Sequence, residues 1–278
     1  MQKKKLWRLK KFEPMKKGWS TLCLFLYLIC KSMGEQPVLP AIHSSWEKIK
    51  GRDGSFFEAY RSQPQEPKGG ILLFMEAFGV NAHIQSVARR LAAQGYLVLA
   101  PDLYHRVRPR WEGKYDEFPL ARQFLKTLTI SGLQSDIYGC YEWLSTKGNF
   151  PSSRIGAVGF CLGGKVAFLA AESLPIAAAV CYYGGGIGEL LNQAQQIRGG
   201  LLFFWGSQDP HIPLEERLKT ATRLNKENKS FIQVEFSRAT HGFFCEERES
   251  YNKDAAQLSW MITLAFLQDQ LGLKKQED

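Results

Sequence analysis

The chain has 278 residues, is 45% hydrophobic and 13% aromatic, and carries a formal net charge of +9. Residues 1–17 hold eight Lys/Arg (Lys3, Lys4, Lys5, Arg8, Lys10, Lys11, Lys16 and Lys17) against one acid, Glu13, so +7 lies in that tail and +2 is left for the rest. These totals exclude a disordered or repeat-built chain and a basic nucleic-acid face on the body, and they supply enough apolar residues for a large core.

Behind the basic tail comes the apolar run Leu22-Cys23-Leu24-Phe25-Leu26-Tyr27-Leu28-Ile29-Cys30, closed by Lys31. It is shorter than the about 20 residues that span a bilayer. Its length fits a signal-peptide core, yet Cys30-Lys31-Ser32-Met33-Gly34 is a poor small-x-small cleavage site. Three readings stand: an uncleaved signal anchor, an unusual signal peptide, or an extension upstream of a start at Met33. The last, or a loosely membrane-associated tail, is expected. Residues 1–39 are therefore set apart, membrane contact is expected only through residues 1–32, and the body is assigned to the cytoplasm as a monomer.

From Trp46 onward strands and helices alternate. Trp46–Lys50 and Ser55–Arg61 read as strands around the turn Gly51-Arg52-Asp53-Gly54, and residues 63–70 as a connector. Ile71–Met75 is a continuous apolar run, as a strand buried on both faces requires. A helix is predicted over about Ile84–Gln94, with Ile84, Val87, Ala88 and Leu91 at helical spacing and Gly95 as a stop. Tyr96–Ala100 is the next strand, and residues 104–116 form an irregular basic and aromatic loop. Further helices are expected over Phe118–Leu128, Leu133–Ser145, Gly163–Glu172, Leu214–Lys226 and Lys253–Leu271. Strands are expected over Arg154–Gly159, Ile176–Tyr183, Leu201–Gly206 and Phe231–Phe236. This alternation predicts an α/β fold with a doubly wound, mostly parallel sheet and helices on both faces, in one domain over residues 40–278.

Six cysteines are present: Cys23, Cys30, Cys140, Cys161, Cys181 and Cys245. None forms a C-x-x-C pair, and no His/Cys group has zinc-ligand spacing. Free thiols are expected, with neither metal nor organic cofactor.

One of these cysteines stands in Gly159-Phe160-Cys161-Leu162-Gly163-Gly164, after a buried strand and at the opening of a helix. This is a G-x-nucleophile-x-G elbow with cysteine in place of serine. Its glycines permit a tight turn that lifts the sulfur to a helix N-terminus, where the dipole favours thiolate and backbone N–H groups face a developing oxyanion. The motif alone equally describes a glycine-rich turn with a packed cysteine. Its context decides. Asp209 follows the strand Leu201–Gly206 and His241 follows the strand Phe231–Phe236, in the order nucleophile, acid, histidine. His211 competes for the base, but a histidine two residues from the acid reads as a turn residue.

Taken together, Met75-Glu76-Ala77-Phe78-Gly79-Val80-Asn81, Ala100-Pro101-Asp102-Leu103-Tyr104, the elbow, Tyr182-Tyr183-Gly184, Gly206-Ser207-Gln208-Asp209 and Thr240-His241-Gly242-Phe243 resemble the dienelactone hydrolases (carboxymethylenebutenolidases) over about residues 46–271. The resemblance implies the α/β-hydrolase fold and hydrolysis of a small ester or lactone through a thioester. It makes Cys161 the nucleophile, His241 the base, Asp209 its orienting group and Glu76 the acceptor of the thiol proton. The oxyanion hole would be the backbone N–H groups of Leu162 and Ala77. Arg106 would bind a substrate carboxylate, with Tyr104, Trp111 and Tyr183 around the substrate. The family's other carboxylate partners, a serine and an arginine after the histidine, read here as Gly242 and Cys245, so part of the clamp is missing, and Arg108 and Arg110 either compensate for it or belong only to a solvated basic loop. Two rival functions are a non-catalytic binding module and a thiol sensor, the second needing a resolving cysteine such as Cys245.

Overall fold

The computed structural model describes residues 41–273, and the expectations for residues 1–39 lie outside them. Eight strands form one sheet: β1 (His43–Lys50), β2 (Phe56–Gln63), β3 (Gly69–Phe74), β4 (Tyr96–Pro101), β5 (Ile155–Phe160), β6 (Ala178–Tyr182), β7 (Gly200–Gly206) and β8 (Phe231–Phe236). Their order is β1-β2-β4-β3-β5-β6-β7-β8. β2 is antiparallel to β1 and β4, and all other neighbours are parallel. The central strands β3 to β7 are buried at every position, the consequence of helices on both faces. At the edge, β8 leaves Ile232 exposed.

Six helices flank the sheet: α1 (Ala82–Ala93), α2 (Phe118–Leu125), α3 (Ile130–Thr146), α4 (Leu162–Ser173), α5 (Leu214–Lys226) and α6 (Lys253–Gln270). A side chain at Gly70 would meet Leu144 of α3, and one at Gly156 would meet Leu267 of α6, so these helices cover opposite faces. Arg90 of α1 stacks on Trp260 of α6 at 4.3 Å, placing α1 on the α6 face. Among the described residues no helix is long and apolar enough to cross a membrane.

The expected element types are present throughout, and the differences are at ends. α2 stops at Leu125 rather than Leu128 because the Thr127 hydroxyl donates to the Phe124 carbonyl at 2.7 Å and takes it out of the helical ladder. α3 starts at Ile130 rather than Leu133 because the Thr129 hydroxyl caps the N–H of Gly132. The stretch between β6 and β7, expected as loop, holds two short 3-10 turns, Ile187–Glu189 and Leu191–Gln196.

Candidate active site

The carboxyl ends of β3, β5, β7 and β8 open on the same side of the sheet, and Glu76, Cys161, Asp209 and His241 leave the chain there. Cys161 adopts φ 56°, ψ −117°, a conformation that side-chain-bearing residues avoid. The turn is over-determined by its neighbours. A Cβ on Gly159 would land on the Gly163 carbonyl, and one on Gly163 would land on the Phe74 carbonyl, so β5, α4 and β3 close together only with glycine at both positions. Cys161 is partly exposed, unlike the buried Cys140, Cys181 and Cys245.

The Nδ1 of His241 lies 2.8 Å from Asp209 Oδ2, and the other oxygen of Asp209 accepts the His211 backbone N–H at 2.8 Å. His211 therefore serves the acid through its backbone, while its ring crosses the His241 ring edge-on at 5.1 Å. Burial opposes charge on His241. Hydrogen bonds to Asp209 and Cys161 and the charges on both outweigh it and carry its pKa up to about 10. The structure thus places His241 between Asp209 and Cys161.

A pocket of ≈ 480 Å³ lies above this group. Ala77, Cys161, Leu162 and His241 form its floor, and Phe78, Tyr115, Phe118 and Leu125 form an apolar wall. Lys165, His211 and Arg248 complete its lining with polar groups. Leu162 is the first residue of α4, where an N–H has no intrahelical acceptor. The N–H of Ala77 has no hydrogen-bond partner among the described residues. Both residues line the cavity that holds the sulfur.

Glu76 is completely buried. Its Oε1 accepts from Arg248 at 3.2 Å and from the Tyr183 hydroxyl at 3.5 Å, and its Oε2 accepts from the Tyr115 hydroxyl at 3.0 Å. The glutamate is tied to Arg248 and two tyrosines, not hydrogen-bonded to Cys161. Arg248 is the residue that sequence reasoning missed. Its guanidinium lies against the backbone of Gly242, which has φ +79° and no room for a Cβ. The signal was a glycine directly after His241 with an arginine beyond it in the same loop.

Four expected substrate contacts need correction. Arg106 reaches Asp136 at 2.8 and 2.9 Å and Asp53 at 2.7 Å, and does not line the pocket. Asp136 is fully buried and needs this cation, which commits Arg106 to the α3 side. Tyr104 is buried beneath the pocket and donates to the Ala77 carbonyl at 2.9 Å. Trp111 packs on Tyr104 and Phe124, outside the lining. Tyr183 is buried too, its ring against His241 at 5.2 Å and its hydroxyl on Glu76. Arg110 is paired with Glu58 and stacked on Trp46, and neither it nor Arg108 lines the pocket. Cys245, weighed as a resolving thiol, is buried and donates to the Tyr115 hydroxyl at 3.0 Å.

The strand order, with a partly exposed thiol on the turn after β5 and an acid and a histidine on later strand ends, defines an α/β-hydrolase. Within that class, the model of the dienelactone hydrolase family matches residues 57–271, and the chain belongs to this family of hydrolases. A Synechocystis protein assigned as a carboxymethylenebutenolidase is 31% identical over 211 residues, covering 72% of this chain and 86% of the relative. An Escherichia coli K12 protein with the same assignment is 31% identical over 238 residues, covering 80% and 85%. A solved Klebsiella pneumoniae structure assigned as a dienelactone hydrolase superposes with a TM-score of 0.74 at 26% identity, covering 82% of this chain and 98% of that one.

Proposed function

We propose that the protein hydrolyses a small carboxylic ester or lactone by acyl transfer through Cys161. The observation that carries this is His241, held on Asp209 at 2.8 Å with the Cys161 sulfur as its other partner, at the floor of an apolar pocket. The thiol proton passes to Glu76, and the thiolate beside the His241 imidazolium is the attacking form. The sulfur adds to the carbonyl carbon, and the oxyanion is held by the N–H groups of Leu162 and Ala77. His241 gives its proton to the leaving alkoxide as the C–O bond breaks. It then takes a proton from water, whose oxygen adds to the thioester and expels the Cys161 sulfur.

Arg248 gives this reading its substrate preference. It is the cation beside Glu76 at the pocket wall, so an ester or lactone carrying a carboxylate would compete with Glu76 for it. A carboxylate released from Arg248 can accept a proton from the thiol, which is the part assigned to Glu76.

Turnover of aryl esters and of neutral and carboxylated lactones by the purified protein, Cys161→Ala and His241→Ala tests the proposal. The parent alone should be active. Equal turnover by all three overturns it.

A further inference from the structure

We propose that Glu76, His83 and Cys245 form a binding site for a single zinc-class dication, and that the bound ion switches off hydrolysis by holding the Glu76 carboxylate so that it cannot take the thiol proton. The second half rests on the hydrolytic reading above; the site itself does not.

Glu76 follows β3, His83 is in the first turn of α1, and Cys245 is in the loop after His241. Folding brings one ligand atom from each within 4.8 Å of the other two, and all three residues are buried. Ligand atoms around a tetrahedral zinc stand about 3.3–3.8 Å apart, given bonds of about 2.0–2.3 Å, so shifts of roughly an ångström would close the set. Thiolate, imidazole and carboxylate together suit zinc rather than calcium or magnesium.

The second observation is His83 itself. Its Nε2 is buried with no hydrogen-bond partner, in a residue only 6% exposed. An orphaned ring nitrogen is costly to bury, and a cation would satisfy a lone pair on this ring. The donor charges oppose the ion's own, although Arg248 is left without its Glu76 counter-ion. The ion's two positive charges meet one carboxylate and one thiolate, and the Cys245 proton leaves to solvent as the metal–sulfur bond forms. Coordination takes Glu76 from its hydrogen bonds with Arg248 and Tyr115 and takes Cys245 from Tyr115. That rearranges the pocket wall next to Cys161.

The test uses the full chain with Co²⁺ as a spectroscopic probe and Zn²⁺ in calorimetry. A sulfur-to-cobalt charge-transfer band should form in the parent and in Cys161→Ser. It should be lost in Cys245→Ser and in His83→Ala, with His83→Gln as the size-preserving variant. Saturating Zn²⁺ should slow aryl-ester hydrolysis by the parent at least tenfold and spare His83→Ala. No band, or a band lost in Cys161→Ser but kept in Cys245→Ser, overturns the site. Zinc binding with hydrolysis unaltered overturns the inhibitory half. A parent inactive on every ester without metal refutes the hydrolytic reading, while the cobalt band still decides the site.

Discussion

The Arg248 guanidinium stands 3.2 Å from the buried carboxylate of Glu76, and it reaches that place across the bare backbone of Gly242. Any side chain at residue 242 would occupy the space of the guanidinium, so the two positions are coupled although six residues apart in the chain. A cation at the pocket wall is thereby supplied from further along the His241 loop, past the Gly242 and Cys245 positions where the sequence suggested none.

Gly242→Ala should cost about 1–3 kcal/mol, because it forces a side chain to φ +79° and displaces Arg248. Urea unfolding at neutral pH measures the loss. A change under about 0.5 kcal/mol would mean that the loop rearranges freely.

Arg248→Gln should narrow the preference for carboxylated over neutral substrates by about 10- to 100-fold in kcat/KM, the size of a lost charge-assisted hydrogen bond of about 1.5–3 kcal/mol. Steady-state kinetics on a matched pair of esters decides it, and an unaltered ratio would place the carboxylate elsewhere.

Arg106→Ala should instead act on stability. It leaves the buried Asp136 with only His105 as a side-chain hydrogen-bond partner, at an expected cost of about 1–3 kcal/mol after allowing for the partial exposure of Arg106. The preference between carboxylated and neutral esters should be the same as in the parent, and a selective rise in KM for the carboxylated one would restore Arg106 to the site.

His241 links pH to stability. Its folded pKa is raised, to about 10, so its contribution is complete below the unfolded value near 6.5 and is lost as pH rises through about 10. Asp209→Asn removes the largest favourable partner, and the fall in stability between pH 7 and 10.5 should shrink in that variant. Chemical denaturation at both pH values provides the comparison. Hydrolysis should fall by about 10⁴ as the imidazole loses its orienting acid.

Cys161→Gly should be inactive yet no less stable than the parent. It removes the proposed nucleophile and also removes the side chain from φ 56°, a conformation costing about 1–3 kcal/mol. A thermal melt well below that of the parent would show that packing of the thiol outweighs the backbone strain.

The sequence by itself determined the sheet, because strands buried on both faces must be apolar throughout, and β3, β4, β5 and β7 announce themselves in that way. It also determined the order of Cys161, Asp209 and His241, since glycines around the elbow and residues just beyond strand ends are local signals. Helix ends were less legible, as the Thr127 and Thr129 hydroxyls show. The walls of the pocket were not legible at all. Arg106 follows the strand as a carboxylate-binding arginine should, but whether it faces substrate or Asp136 depends on α3, 30 residues later. Arg248 at Glu76, Tyr115 between Glu76 and Cys245, and His83 beside both join segments up to 172 residues apart. Such contacts leave no spacing to read, because only the closing of the loops over the sheet sets their distances.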